Sequence, residues 1–541
     1  MILQILHGIT LTLKDFASEA ETTAVPVFGN RELLPLSPLV GSHRSSKSVN
    51  YALVDEVTWS DDVLDSCRYH HVRQCILNVA SCYSAAQTSI KGPVADGKKN
   101  FFFVFVCNFE VIQYPIVVAA MALKPTVAII GSGWGGYNLA HALDAQKYKV
   151  VVISPEATSA ITPLLASAAC GLFNSQLAQE PIRRKHLDVQ YIKAYVEDID
   201  FQNNILTCQP AFERVRDRRF ELPYDKVVIA PGCSTNTFST PGVDEYAFMV
   251  KNVSDANAIR DKINENLELA SLPSTSDEDQ RRLLHAVIVG GGPTGIEIAA
   301  ELTDLFRGDL MQLYPHLRGK ASASVHDVAQ NILAPFDKQL SEYAKNSLEK
   351  HKIEIKVGSH ITYVTENYIE TREDGKIAYG ILIWATGNKQ RPMVDQLGVM
   401  KSNQGLKRIL TDDHLQVLAT DGNKIPGVYA LGDAADIDGA SLPTTAEVAV
   451  QKASWLAHSL DAAASGQTVD AFQYHQRALV TYTGAGDGVI MGKGGHEYTG
   501  YGAWLSWRSG NLFWTRSWKR KFMMVLSWMM DWIDGREMNR F

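Results

Sequence analysis

Two segments of this chain follow the same order. TVAIIGSGWGGYNLAHAL starts at Thr126 and HAVIVGGGPTGIEIAAEL starts at His285, and each reads as a short apolar run, a glycine-rich turn and the beginning of a helix. An unbroken apolar run of strand length is buried on both faces, and such strands belong to parallel sheets that helices cover on either side. In the first segment Gly131, Gly133 and Gly136 occupy the G-x-G-x-x-G positions; in the second Gly290, Gly292 and Gly295 do. The spacing has a mechanical basis. The first glycine lets the chain turn sharply, the second lets backbone approach a pyrophosphate, and the third lets helix pack on strand. The phosphates then face the positive end of the helix dipole. A lone match is weak, because glycine turns are common. Here each is followed by a further strand signal, KVVVIS (149–154) and ASASVH (321–326). The pattern predicts an α/β chain with two Rossmann-like dinucleotide-binding domains.

Each second strand should end on a group that hydrogen-bonds ribose. After KVVVIS that place holds Ser154, with Glu156 two residues on. A serine can bond ribose but does not repel a 2′-phosphate as a carboxylate would. After ASASVH stands Asp327, which would accept both ribose hydroxyls and favour NADH over NADPH. Glu297 is expected in the first turn of the second helix, either as a carboxylate favoured by the dipole or as a group beside a nicotinamide ring. A late IPGVYALGDAA (425–435) adds Gly432-Asp433, the turn that in two-dinucleotide flavoproteins holds the ribityl chain and pyrophosphate of FAD. VVIAPG (227–232) and WATG, ending at Gly387, read as crossings between the two domains. Together these features indicate a flavoprotein that takes hydride from a nicotinamide, with FAD on the first loop and NADH on the second.

Composition narrows the partners. At 541 residues, 46% hydrophobic and 21% charged, the chain has room for two or three ordinary domains. A net charge of −7 gives no reason to expect nucleic acid. From Lys124 onward the only cysteines are Cys170, Cys208 and Cys233, too scattered for a zinc cluster or a CxxC pair, so no metal site and no disulfide reductase are expected. No run of about 18 apolar residues free of charge occurs, so no spanning helix is expected. Residues 1–123 read as an N-terminal extension, without the cationic start of a signal peptide or the Arg-rich pattern of a transit peptide. The segment is expected to be disordered or loosely folded; the other reading is a start near Met121, which would put the first strand at the N-terminus and make the segment before it foreign to the working protein.

GSGWGG, SPEATSAITPLLASAACG, GGGPTGIEIAAEL, VHDVAQNILAPFD, VYALGDAA, LPTTAEVAVQKASWLA and WKRKFMMVLSWMMDWIDGREMNRF occur in that order. Over about Lys124–Phe541 the chain resembles the type II (alternative, rotenone-insensitive) NADH:quinone dehydrogenases, most of all the fungal mitochondrial forms. The resemblance implies noncovalent FAD, no proton pumping, a quinone of the ubiquinone class as acceptor, and peripheral attachment to the mitochondrial inner membrane. By position, Gly131, Gly133, Trp134, Gly136, Ser154, Gly432 and Asp433 would bind FAD, with Thr162 near the isoalloxazine, and the second loop with Glu297 would bind NADH. The family's quinone signature A-Q-x-A-x-Q stands here as Ala446-Glu447-Val448-Ala449-Val450-Gln451, with Glu447 in place of a glutamine. The implied division is 124–246 and 401–465 for the FAD-binding domain, 247–400 for the NADH-binding domain and 466–541 for a membrane-associating domain. A homodimer is left open. Two rivals remain: a soluble, cytoplasmic FAD/NADH oxidoreductase of the ferredoxin-reductase or apoptosis-inducing-factor-like type, and a redox-sensing flavoprotein that works by partner binding.

The end of the chain bears on that choice. Six of the ten tryptophans lie from Trp504 onward, and between Trp504 and Met530 there are basic residues but no acid. As a helix, the tail places Trp518, Phe522, Val525, Leu526, Met529, Trp532 and Ile533 on one face. Arg516, Lys519, Arg520 and Lys521 would form a basic collar at its start. Its apolar core, Phe522 to Ile533, is about 18 Å long against a hydrocarbon thickness near 30 Å, so it would lie in the interface instead of spanning. The other reading is a helix packed on the second domain or on a dimer partner. If the tail serves only the membrane, removing residues 516–541 should spare NADH oxidation by a water-soluble dye.

Overall fold

The computed structural model describes residues 124–536, apart from 186, 493 and 494. The extension 1–123 and the expectation about it lie outside the described residues.

Strand β1 (Thr126–Ile130) runs through the first glycine turn into α1 (Trp134–Ala142) and returns as β2 (Lys149–Ser154), parallel and in register from Thr126 against Lys149 to Ile130 against Ile153. β3 (Lys226–Ile229) lies along the other side of β1. The second unit repeats this with β4 (His285–Val289), α2 (Pro293–Arg307) and β5 (Ser322–Asp327), and with β6 (Ile381–Trp384) on the far side of β4. β7 (Lys424–Ala430) then returns to pair with β3, and α3 (Ala446–Ala463) packs on α1. The β7-β3-β1-β2 order forms the parallel middle of a ten-stranded sheet, and β6-β4-β5 the middle of a five-stranded parallel one.

Burial explains the unbroken apolar runs. In β1, Val127 and Ile129 enter the core shared with Leu139 and Leu456, while Ala128 and Ile130 enter the opposite core with Val227 and Val428. In β4, Ala286 and Ile288 face one core and Val287 and Val289 another. After the partly exposed Thr126 and His285 that open them, no position along either strand meets water, so none needs to be polar.

The crossings lie where VVIAPG and WATG were read, but the return comes earlier than residue 400. Cys233–Thr235 and Asn388–Gln390 pair antiparallel, and the Trp384 indole N–H donates to the Asn236 carbonyl at 3.0 Å. Val394, Leu397 and Val399 already belong to a core of the first domain. The expected boundary therefore falls about ten residues late, because a short linking pair of strands carries no apolar signal of its own.

The expected 466–541 domain is also divided. Phe472 packs with the first domain. From Leu479 onward a three-stranded antiparallel sheet, α4 (Tyr501–Trp514) and α5 (Trp518–Asp534) follow. Tyr482, Val489, Trp507 and Met524 share a core with Ile296 and Ala300 of α2. Asp487 anchors this part by accepting from Ser347 Oγ at 2.7 Å and Tyr343 Oη at 3.1 Å.

The three glycines of each loop differ in what a side chain would meet. A Cβ at Gly136 would come within 2.0 Å of the Gly131 carbonyl oxygen, and one at Gly295 within 2.0 Å of the Gly290 oxygen, whereas at Gly133 and Gly292 it would meet nothing. Gly136→Ala and Gly295→Ala should therefore lower stability by about 1–3 kcal/mol. Gly133→Ala and Gly292→Ala should leave the thermal midpoint unchanged, as thermal unfolding of the four variants would report.

Candidate active site

Both glycine turns open on one cavity of about 1390 Å³. Gly131 holds φ +102° and donates its N–H to Ile153 O at 2.8 Å; Gly290 holds φ +119° and donates to His326 O at the same distance. Each turn thus locks onto the end of the neighbouring strand, and each helix begins at an N-cap, Gly133 or Gly292, that has no side-chain cap. The first N–H groups of both helices are left for another acceptor. The open space at the two middle glycines, beside helix starts facing a cavity, fits dinucleotide phosphates. The volume exceeds the roughly 300–1,000 Å³ usual for a single small-molecule pocket.

Gly131, Gly133, Trp134, Ser154, Thr162, Gly292, Asp327, Gly387, Gly432 and Asp433 line the cavity; Gly136, Gly290 and Gly295 stand behind it as packing positions. Ser154 is buried, shares a hydrogen bond with Ser132 Oγ at 2.9 Å and accepts from the Glu156 N–H at 3.2 Å. It braces the loop, and Glu156 is the carboxylate at that strand end which reaches the cavity. Asp327 ends β5 as expected. Its Oδ2 accepts from the Gly291 N–H and its Oδ1 from the Ala329 N–H at 2.8 Å. An ionised carboxylate has about four lone-pair sites, so acceptors remain for ribose.

Asp433 receives a hydrogen bond at 3.2 Å from the Cys233 thiol, a cavity-lining residue that carried no signal in the sequence. Burial pushes that thiol up to about 12, so it stays protonated and donates. Cys170, Cys208 and Cys233 are all free and buried, and no dithiol occurs among the described residues. Asp412, Asp413 and His414 form the single compact group of candidate metal ligands among the described residues, and it lies off the cavity lining.

Glu297 differs from expectation. Because α2 starts at Pro293, it is the fifth helical residue and not part of the first turn, where the dipole acts. It is not part of the cavity lining. Instead it is buried beneath the C-terminal part, where the Trp507 indole N–H donates to its Oε1 at 2.8 Å. Burial raises its carboxyl to about 8, against the lowering effect of that hydrogen bond. Farther along α2, Glu301 accepts from Ser167 Oγ at 2.7 Å and lies 3.5 Å from Arg536, while Asp304 accepts from the Tyr482 hydroxyl.

Glu447 and Gln451 lie on α3, whose first turn reaches the cavity through Ala446 and Ala449. Neither is itself part of the lining. Gln451 donates to the His475 carbonyl at 2.8 Å and to Glu447 at 2.6 Å, and accepts from the His475 N–H at 3.0 Å. Glu447 also pairs with Arg477 at 3.2 Å.

The tail combines an exposed apolar face with a buried anchor. Trp518, Phe522, Met529, Trp532 and Ile533 are exposed, at 78%, 68%, 41%, 71% and 64%, while Met524 is fully buried. Among the described residues no helix is long and apolar enough to cross a membrane. The collar is not as expected. The Arg520 side chain turns inward to the fully buried Glu180, which accepts from its Nη1 at 3.0 Å and from the backbone N–H groups of Arg516 at 3.0 Å and Ser517 at 3.1 Å, while the Arg516 guanidinium turns inward onto the Tyr137 and Trp134 rings. Arg184 bonds the same carboxylate. A buried carboxylate needs paired cations, which takes Arg520 away from the surface, and the two rings take Arg516. Lys519 is exposed, and Lys521 lies over the Phe513 and Trp518 rings.

The family description "Pyridine nucleotide-disulphide oxidoreductase" matches residues 125–453. The internal alternative NAD(P)H-ubiquinone oxidoreductase A1, mitochondrial, of Solanum tuberosum is 32% identical over 87% of this chain and 98% of its own length. A "Probable NADH dehydrogenase" of Dictyostelium discoideum is 34% identical over 76% and 90%. The external alternative NAD(P)H-ubiquinone oxidoreductase B2, mitochondrial, of Arabidopsis thaliana is 38% identical over 60% of this chain, which spans 56% of that protein. The structure of NDH2 from Plasmodium falciparum in complex with NADH has a TM-score of 0.71 at 24% identity, over 77% of this chain and 100% of that one, and shares its fold. The chain belongs to the pyridine nucleotide-disulphide oxidoreductases and, among them, to the alternative NAD(P)H-ubiquinone oxidoreductases, the type II NADH dehydrogenases. A flavin and NADH are the two groups this membership implies.

Glu297 makes stability depend on pH. Its folded-state value lies above that of the unfolded chain, so the folded state holds the extra proton, and stability present below about pH 4.5 is lost as pH rises through about 8. Glu297→Gln keeps an acceptor for Trp507 but cannot ionise. Its melting temperature should match wild type near pH 5 and exceed it by several degrees at pH 8.5.

Proposed function

We propose that this chain oxidises NADH through a noncovalent FAD and reduces a membrane-dissolved quinone of the ubiquinone class, without moving protons across the membrane. One observation carries the reading: two glycine turns, each at the end of a parallel strand and the start of a helix, open on a single cavity. A flavin bound there supplies the chemistry that takes up hydride from a nicotinamide and releases electrons singly or in pairs.

The chain's own residues do the positioning. The first loop and Asp433 would hold the flavin's pyrophosphate and ribityl chain, with the Cys233 thiol fixing one oxygen of Asp433. The second loop would hold the nicotinamide dinucleotide, with Asp327 reading its adenosine ribose. Gln451 pins the 475 segment against α3, and this supports a role for Glu447 and Gln451 in shaping the wall that a quinone approaches. Quinones dissolve in the bilayer, so the enzyme must rest on it. The exposed face of α5 supports peripheral binding in the headgroup region, with tryptophans at the interface. The mitochondrial relatives support the inner mitochondrial membrane as its place.

NADH oxidation measured with a ubiquinone analogue, ferredoxin and oxygen as rival acceptors should give turnover chiefly with the quinone; turnover with ferredoxin alone would sink the reading. Asp327→Asn should lower the NADH/NADPH ratio of kcat/KM by about tenfold, about 1.4 kcal/mol of discrimination. A wild type that used both equally would remove Asp327 from that role.

Replacing Phe522, Leu526, Met529 and Ile533 together with asparagine should release the protein from liposomes in a flotation assay. Because only Lys519 and Lys521 of the collar face outward, salt should weaken wild-type binding modestly, by about 1 kcal/mol per lysine.

A further inference from the structure

The junction between α4 and α5 lies on the first glycine loop. Trp514, the last residue of α4, meets the Trp134 ring edge-on, with centroids 5.0 Å apart and planes at 77°. Two residues on, the Arg516 guanidinium lies over both Trp134, at 5.2 Å, and Tyr137, at 4.0 Å. Trp134 opens α1 immediately after the middle glycine, and it lines the cavity. Its indole N–H donates to Thr162 Oγ1 at 3.1 Å, and Thr162 lines the cavity too. Beneath the junction, Glu180 fixes the backbone by accepting the N–H groups of Arg516 and Ser517.

An edge-on aromatic pair is worth about 0.5–1.5 kcal/mol beyond burial, and a desolvated cation over a ring contributes similarly. Trp134 receives both, from residues nearly four hundred positions away in sequence. Without them its ring would keep one hydrogen bond and a partly buried edge against the neighbouring core, at the rim of an open cavity.

We infer that Trp514 and Arg516 are positioning residues for the flavin side of the cavity: the junction that carries the exposed face of α5 also holds Trp134 and, through Thr162, one wall of the flavin site. This rests on the reading that the first loop binds FAD. It separates two roles of the tail. The outer face of α5 meets the lipid, while the α4–α5 junction completes the cofactor site. Loss of the whole tail should then reduce flavin occupancy, and with it dye reduction, as well as membrane binding.

The test uses the full chain as Trp514→Ala, Arg516→Gln and Trp514→Phe, with flavin affinity by titration, the visible flavin spectrum, NADH binding by calorimetry and liposome flotation. Trp514→Ala and Arg516→Gln should bind FAD at least tenfold more weakly with an altered flavin spectrum, while NADH affinity and flotation stay as in wild type. Trp514→Phe, which keeps an aromatic edge on Trp134, should restore both flavin readouts. Wild-type flavin affinity and spectrum in Trp514→Ala would overturn the inference. So would joint loss of flavin and NADH binding, which marks general unfolding, or failure of Trp514→Phe to restore the site. A wild type that binds no added FAD would overturn the functional reading and this inference with it, whereas a flavin-loaded wild type with equally loaded variants overturns this inference alone.

Discussion

The approach of α1 to β1, and of α2 to β4, is the constraint on which the rest of the structure depends. At Gly136 and Gly295 the helix comes so near the preceding turn that a single methyl group would collide with a carbonyl oxygen. That closeness aims each helix N-terminus along the end of a parallel strand and leaves its first N–H groups facing outward. It also sets where Trp134 emerges beside the first loop and where Glu297, Glu301 and Asp304 fall along the second helix. The cavity, its polar rim and the seat for the C-terminal part all follow from two close backbone contacts.

A second constraint is the buried carboxylate of Glu180. With no exposure to water, it must be matched by donors and cations, and it gathers two backbone N–H groups and two arginines. The start of α5 is thereby fixed to the first domain, while Met524 buries into the core shared with α2. With both ends of the junction held, the large apolar residues of the other face are left unpartnered within the described residues. A free carboxylate in that position would be intolerable, so the tail and the first domain depend on each other.

Three carboxylates on α2 give the C-terminal part its footing in the second domain. Trp507 bonds Glu297, Arg536 lies beside Glu301, and Tyr482, stacked on Trp507 at 4.9 Å, bonds Asp304. A surface helix would leave such acids in water. Here the C-terminal sheet and α4 cover them, and Glu297 responds by holding its proton.

The sequence alone determined the two βαβ units, their glycine turns, Asp327 at the end of β5, the Gly432-Asp433 turn and the outward apolar face of α5. All of these are local: an apolar run, a glycine at fixed spacing or a helical period is written in consecutive residues, and short-range sterics enforce it. The tertiary structure alone decided that Glu297 lies under Trp507 instead of on the cavity lining, that Arg520 turns to Glu180 and Arg516 to the Trp134 and Tyr137 rings, that Cys233 meets Asp433, and that the chain returns to its first domain before residue 400. Each of those depends on a partner far along the chain. A charged or aromatic side chain has no periodic signature of its partner, so a basic collar and two arginines turned inward to a carboxylate and to aromatic rings read alike until the fold brings those partners to them.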